Sequence, residues 1–276
     1  MDKHVFYFQD ENLSAEKASR GALRMIFGAE GLTMLALSAE NEVLGLASIQ
    51  ISDKKVDNQY GEPALPEVLA GQQLLRYPYG SVNAAISTPL ATLVPDRLFS
   101  EQACPKYFHL LQPTNLETIF GHEAIKDFGC QLVWAAPAAY KPLVQLYRPR
   151  HLGGSLIQQF HLLASPEGYS IFMNVRSNLA QIFVFDMKSL SFYNTFEFNK
   201  PADLLYYVLL VFDQFRINPE QVPLQVSGAL MEGTEHFNML HKYVQKIVFI
   251  TPKAIPNLPK SDNALPAHYW FDLLSL

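Results

Sequence analysis

The chain has few cysteines, no strongly basic segment and no long hydrophobic run. Its two cysteines, Cys104 and Cys130, lack C-x-x-C spacing, so we expect neither a disulfide framework nor a zinc site. The net charge is -5 and no basic run exceeds Lys54-Lys55, which gives no electrostatic reason to expect a nucleic-acid or anionic-membrane partner. The longest aliphatic and aromatic stretch, residues 204–212, is about half a membrane span. Since the N-terminus also lacks an apolar signal segment, we expect a cytoplasmic protein without membrane insertion.

The composition favours a globular protein. Of the 276 residues, 49% are hydrophobic and only 17% are charged. A chain of this kind can bury a sizeable core and form one large or two medium domains.

The second half of the chain predicts three strands followed by helix, strand, helix and strand. Three extended segments between residues 169 and 198 are separated by short polar turns, and the third alternates apolar and polar side chains. A helix is then expected from Asn199 and Pro201 to the N-P pair at Asn218, with apolar residues at helical spacing. The remaining predicted elements are a strand at 222–227, a helix from about Thr234 and a strand at 246–251. The order is βββαβαβ.

A degenerate copy of this order occurs in the first half. Its predicted strands are 23–27, 32–38, 42–51, 81–87 and 131–135, and its predicted helices are 65–75 and 96–108, with an insertion at about 113–122. We therefore predict a first lobe at residues 1–149, with an insertion near 109–123. A second lobe at 150–276 would carry a proline-rich, aromatic C-terminal tail.

Two tandem βββαβαβ units resemble the plan of the actin-like, or ribonuclease H-like, ATPase superfamily, which includes actin, DnaK-type chaperones, sugar kinases and PilM. The segments T-L-V-P-D-R-L-F at 92–99 and Y-W-F-D-L-L-S-L at 269–276 are similar to those of a bacterial family of uncharacterised proteins with that fold. The resemblance covers essentially the whole chain. It implies a two-lobed α/β fold and no known activity.

In active members of that superfamily, each half has a D-x-G-type turn between its first two strands. The acid holds Mg²⁺ and the glycine admits the phosphates. Here the first turn reads I-F-G-A-E-G-L-T, which keeps Gly28 and Gly31 but has Phe27 where we expect the acid. The second reads M-N-V-R-S-N-L-A, with Asn174 at the acid and Arg176 at the glycine. Magnesium-dependent hydrolysis should be lost, and we assign no catalytic residue and no metal ligand.

A third superfamily motif is a glycine pair after the fourth strand of the second half. The corresponding segment is V-S-G-A-L-M-E-G, with Ser227, Gly228 and then Ala229. One interpretation is a turn that needs glycine for its backbone angles. The other is a degenerate ATP site, whose cofactor-binding residues would be Gly28, Gly31, Asn174, Ser177, Asn178 and Gly228. Otherwise we expect no cofactor.

A local positive cluster, Arg148, Arg150 and His151, lies at the junction between the halves. Two interpretations remain open for it. It is either an anion site or an exposed linker between lobes.

The C-terminal tail ends in H-Y-W-F-D-L-L-S-L after four prolines between residues 252 and 266. One hypothesis is that it packs on its own domain, because an exposed apolar patch of this size is a liability. The other is that aromatic and aliphatic anchors dock a protein partner or the second copy of a homodimer. Those partner-binding residues would be Tyr269, Trp270, Phe271, Leu273 and Leu274.

Taken together, the residues favour a non-catalytic, pseudo-ATPase scaffold or protein-interaction protein. The alternative is a nucleotide-binding protein or weak ATPase that uses the cleft between the lobes. Binding of Mg-ATP separates these two classes.

Overall fold

The computed structural model describes residues 3–28, 31–50, 69, 71–109, 118–252 and 265–276. Within these ranges the strands form three sheets of six, five and three strands. The strands are β1 (Lys3–Gln9), β2 (Ala22–Gly28), β3 (Gly31–Leu37), β4 (Val43–Gln50), β5 (Ser81–Ser87), β6 (Leu90–Pro95), β7 (Thr118–Ile125), β8 (Cys130–Pro137), β9 (Arg150–His151), β10 (Tyr169–Arg176), β11 (Leu179–Asp186), β12 (Ser189–Glu197), β13 (Leu224–Gly228) and β14 (Ile247–Phe249). The α-helices are α1 (Ala15–Arg20), α2 (Cys104–His109), α3 (Lys141–Tyr147), α4 (Leu152–Leu163), α5 (Pro201–Gln214), α6 (Glu235–His241) and α7 (Phe271–Leu274).

The first sheet has the order β1-β4-β3-β2-β5-β9. Strands β2, β3 and β4 form an antiparallel meander, and β5 joins β2 in parallel. The predicted strands 23–27, 32–38, 42–51 and 81–87 are confirmed to within two residues at each end. Of the helix predicted at 65–75, residues 65–68 and 70 lie outside the described residues, and Gln73–Arg76 form a 3-10 turn.

The strand predicted at 131–135 is confirmed, but its place in this sheet was wrong. Residues 131–135 do form a strand, β8, but it pairs with β6 and β7 in the separate three-stranded antiparallel sheet. The sheet is completed instead by the two-residue β9, which pairs in parallel with β5. Extended character is a local property, whereas the choice of partner strand depends on distant parts of the chain.

The helix predicted at 96–108 was also wrong in extent. Two 3-10 turns, Asp96–Leu98 and Glu101–Ala103, precede α2. Pro105 explains the late start, because proline has no amide hydrogen and is tolerated in the first turn of a helix but not in its interior. Of the predicted insertion, residues 118–122 belong to β7 and 113–117 lie outside the described residues.

The second sheet has the order β12-β11-β10-β13-β14, with α5 and α6 packed on one face. The Asp203 carboxylate accepts hydrogen bonds from the amides of Asn199 and Lys200, which caps the start of α5. The helix then buries Leu204 and Phe212 against the sheet. The Thr234 hydroxyl caps α6. The predicted order βββαβαβ is confirmed for this half.

The other face of the second sheet shares one core with the first sheet. Helix α4 and the C-terminal segment lie between them. Phe160 of α4 stacks on Phe172 of β10, with ring centroids 4.6 Å apart, and on Phe271 of α7 at 5.5 Å. None of the helices that the structure describes has the length and apolar character of a membrane span.

Candidate functional site

The β2–β3 and β10–β11 hairpins approach each other across a cleft between the two sheets. The last register pair is Gly28 and Gly31 in the first hairpin and Arg176 and Leu179 in the second. An open cavity of about 450 Å³, including its mouth, lies between them. The lining residues that bear on its chemistry are Gly31, Thr33, Ser48, Arg176, Ser177, Gly228 and Asp272.

Strand register identifies which residues of the two hairpins are equivalent. Two positions before the last pair, Asn174 lies opposite Gln181, and Ile26 lies opposite Thr33. Ile26 is therefore the counterpart of Asn174, and the prediction that Phe27 holds the acid position was wrong by one residue. A slip of one residue moves a strand side chain to the opposite face of the sheet. Phe27 is buried there, stacked on Tyr140.

Neither equivalent position carries an acid in the correct register. Ile26 is apolar and fully buried. Asn174 is 1% exposed and belongs to a polar network. Its Oδ1 accepts a 2.8 Å hydrogen bond from the Ser227 hydroxyl, and its Nδ2 lies 3.5 Å from Asp272 Oδ2. A neutral amide in this network brings no charge to a cation.

A charged pair occupies the cleft beside Asn174. Arg176 Nη1 donates a 2.9 Å hydrogen bond to Asp272 Oδ2, and Arg176 Nη2 donates a 2.7 Å bond to Thr33 Oγ1. The Asp272 side chain is 1% exposed and that of Arg176 is 12% exposed. The guanidinium thus joins the first hairpin, the second hairpin and the C-terminal helix α7. The cation that replaces the motif's glycine is neutralised by a carboxylate of the same chain.

Gly228 is required by the backbone at the end of β13. Its φ is +84°, and a Cβ there would collide with the carbonyl oxygen of Val175. The Ala229 amide donates a 2.7 Å hydrogen bond to that same oxygen. This geometry supports the turn interpretation of the V-S-G-A segment. Gly228 also lines the cavity, where the absence of a Cβ lets a bound molecule approach its backbone closely.

Three of the six predicted cofactor-binding residues line the cavity. Gly31, Ser177 and Gly228 line the cavity, and Gly28 pairs with Gly31 at the end of the first hairpin. Asn178 is exposed in the turn of the second hairpin, and Asn174 is buried. Their use by a nucleotide stays a prediction.

Sequence reasoning missed three polar residues of the site. Thr33 and Ser48 are buried polar positions in strands that are otherwise largely apolar. Asp272 is buried within the aromatic tail. An acid inside Y-W-F-D-L-L was the one available signal, because a buried carboxylate needs a partner.

The C-terminal segment packs on its own chain. Trp270, Phe271 and Leu273 are at most 4% exposed. Tyr269 and Leu274 are partly buried against the same core. This arrangement agrees with the hypothesis that the tail packs on its own domain. Docking of a partner through these residues stays a prediction. Residues 253–264 of the proline-rich stretch lie outside the described residues.

The positive cluster at the junction is largely neutralised. Arg150 Nε donates a 2.7 Å hydrogen bond to Glu123 Oε2, and burial raises the Glu123 pKa against the opposing effect of Arg150. His151 is fully buried and its Nδ1 accepts from the Gly153 amide. Burial lowers the His151 pKa to about 3, so the ring is neutral at pH 7. Arg150 is exposed but paired with Glu123, and Arg148 is exposed, which weakens the anion-site interpretation. The exposed-linker interpretation fails for His151.

Metal chemistry has no candidate centre in the described part of the chain. No group of three or more His, Cys, Asp or Glu side chains is arranged there to hold a metal ion.

Comparison with known proteins gives one family and several similar folds. The family described as "Protein of unknown function (DUF3822)" matches residues 10–247. A Bacteroides thetaiotaomicron VPI-5482 protein with actin-like ATPase fold and unknown function has a TM-score of 0.73 at 20% identity, over 86% of this chain and 93% of that one. The PilM-PilN type IV pilus biogenesis complex gives 0.62 at 14% identity, over 92% and 97%. Ethanolamine utilization protein EutJ from Carboxydothermus hydrogenoformans gives 0.44 at 11% identity, over 93% and 88%. No curated protein matches. The predicted actin-like ATPase fold is confirmed.

Proposed function

The chain belongs to the DUF3822 family of proteins of unknown function, and we propose that it is a non-catalytic, pseudo-ATPase scaffold that acts by binding another protein. The observation that carries this proposal is the pair of register-equivalent positions, Ile26 and Asn174, neither of which is an acid. Mg²⁺ bound at such a site would need at least one carboxylate ligand in addition to phosphate oxygens.

The ion pair in the cleft supports the same proposal. A phosphate entering beside Arg176 would meet the Asp272 carboxylate, whose oxygen lies 2.9 Å from the guanidinium. A phosphate bound to the same guanidinium would lie close to this carboxylate, and like charges that are close repel each other. Binding of a polyphosphate would therefore require Asp272 and the segment that carries it to move away first.

The interaction role is supported by an analogy of fold. PilM, one of the proteins with the same fold, is described in a complex with PilN. We propose that the present chain likewise works through a protein partner or a second copy of itself. At 14% identity the likeness concerns the fold, so the partner's identity does not carry over.

Thermal unfolding with and without Mg-ATP tests the non-catalytic proposal. We expect no shift in melting temperature, because neither register-equivalent position carries an acid and the Asp272 carboxylate is already paired with Arg176. A true nucleotide site would add about 2.7 kcal/mol of stability when ATP is present at about 100 times its dissociation constant. MgCl₂ with sodium sulfate at matched ionic strength is the control for non-specific salt effects. A saturable shift specific to Mg-ATP would overturn the proposal and favour the alternative of a nucleotide-binding protein, which the cavity at Gly31, Ser177 and Gly228 keeps open.

A further inference from the structure

The C-terminal segment, residues 265–276, makes specific polar contacts with both lobes. To the first sheet, the Tyr269 hydroxyl lies 3.2 Å from Ser48 Oγ, and Arg24 Nη1 donates a 2.7 Å hydrogen bond to the Leu274 carbonyl. On the side of the second sheet, His268 Nε2 lies 3.0 Å from the carbonyl oxygen of Leu230, which follows β13. The three contacts run from His268 to Leu274, so this part of the segment bridges the cleft between the sheets.

Two aromatic anchors and one charge hold the segment in place. Trp270 packs edge-on against Phe6 of β1, and Phe271 stacks on Phe160 of α4. Between these anchors and the end of the chain, Asp272 inserts its carboxylate beside Arg176. Aromatic anchors with one largely buried ion pair are typical of a peptide bound in a groove.

The segment also differs from an ordinary core element. It consists of a 3-10 turn, Ala267–Trp270, and the single helical turn of α7, and it pairs with no described strand. It does not fill the cleft, since the open cavity lies directly against Tyr269 and Asp272. Both sheets keep their strand pairing without any contribution from it.

We propose that the cleft between the lobes is a peptide-binding groove and that residues 268–276 are its intramolecular ligand. A partner that uses the groove displaces this segment and offers the same chemistry, which is adjacent aromatic side chains followed by a carboxylate. The inference rests on the proposed function, since it names the class of partner for the proposed interaction protein.

The test uses the full chain with a protease site placed within residues 256–261, so that cleavage leaves the segment in place but no longer covalently linked. The probe is a fluorescent synthetic peptide of residues 268–276, and the measurement is fluorescence anisotropy as it exchanges into the cleaved protein. We expect saturable binding, with no binding by a scrambled peptide of the same composition. Asp272→Asn and Trp270→Ala peptides should each bind at least about tenfold more weakly, a loss of about 1.4 kcal/mol.

An Arg176→Met protein provides the matched control. It should bind the native peptide more weakly than the unmodified protein does. The two proteins should bind the Asp272→Asn peptide with about the same affinity, because neither can form the ion pair with that peptide. A purely structural role for Arg176 would lower both affinities together.

Two outcomes would overturn the inference. The first is unfolding of the cleaved protein as soon as the segment leaves, which would make residues 268–276 part of the folding core. The second is a cleaved protein that stays folded and fails to bind the peptide. Both are read from circular dichroism and anisotropy on the same sample. Neither depends on the Mg-ATP measurement, so a failure of the groove and a failure of the non-catalytic proposal are separately recognisable.

Discussion

Arg176 and Asp272 form an ion pair of 2.9 Å across 96 residues of chain. One side chain comes from the end of a β-hairpin and the other from the last helical turn of the protein. The pair lies in the cleft beside Asn174, whose Nδ2 is 3.5 Å from Asp272 Oδ2. It connects the loss of the motif with the position of the C-terminal segment.

Asp272→Ala should strongly destabilise the protein. Removing one partner of a buried ion pair leaves the other charge unpaired, which costs about 3–5 kcal/mol. The matched control is Glu16→Ala, whose ion pair with Arg20 is exposed and should be worth less than about 1 kcal/mol. Urea denaturation of both variants provides the comparison. A loss at Asp272 no larger than that at Glu16 would contradict the buried pair.

Asn174→Asp should destabilise the fold although it restores an acid to the motif. The new carboxyl would lie about where Nδ2 now sits, 3.5 Å from Asp272 Oδ2, and like charges that close repel each other. Its folded-state pKa should be raised, so the loss is full at neutral pH and fades as the pH falls through that pKa towards about 4. Asn178→Asp, four residues along in an exposed turn, is the control and should change little. The measurement is the free energy of unfolding at several pH values, and equal losses for the two variants would refute the expectation.

Gly228→Ala should be more costly than an ordinary glycine substitution at positive φ. The Cβ would collide with the Val175 carbonyl, in addition to the strain of a φ of +84°. Gly168 has a similar φ of +65°, but no atom lies within 4 Å of a Cβ added there. The stability lost in Gly168→Ala therefore measures backbone strain alone, which is about 1 kcal/mol. Thermal denaturation should show a clearly larger decrease in melting temperature for the first variant. Similar decreases for the two variants would mean that the backbone around Gly228 and Val175 moves to accommodate the new Cβ.

Stability should fall in mildly acidic solution because of His151. Its folded-state pKa of about 3 lies below the usual 6.5, so between these values the unfolded chain binds more protons. The free energy of unfolding should therefore decrease by up to about 1.4 kcal/mol per pH unit as the pH falls through that window. Glu123 acts in the opposite direction, because its folded-state pKa is raised. His151→Asn removes only the imidazole contribution, so the difference between wild type and variant, measured in urea from pH 7 to pH 4, should shrink with acidification. A pH-independent difference would show that His151 is not the titrating group.

The second lobe was largely predictable because its signals are local. Strand alternation, the turn residues and the apolar spacing along α5 each depend on neighbouring residues, and the observed elements follow them closely. The first lobe was harder because its fold includes the separate β6-β8-β7 sheet. Periodicity marks 131–135 as extended, but it carries no information about which strand lies beside it.

Part of the site was also predictable, because some of its features depend only on neighbouring residues in the sequence. The sequence alone shows that no aspartate stands in either hairpin turn, and it names Gly31, Ser177 and Gly228, which do line one cavity. Strand register was needed to identify Ile26, and not Phe27, as the residue at the acid position. The reason is that the face on which a strand residue lies depends on its pairing. Thr33 and Ser48 belong to the site only because of their partners across the cleft, Arg176 and Tyr269.

The amino-acid sequence by itself determined the order of elements in the second half, the loss of the acidic motif and the apolar character of the C-terminal segment. Only the tertiary structure decided that this segment lies between the lobes and that Asp272 neutralises Arg176. Composition and spacing are properties of neighbours along the chain, whereas an ion pair over 96 residues exists only once both sheets have formed and excluded water from the space between them.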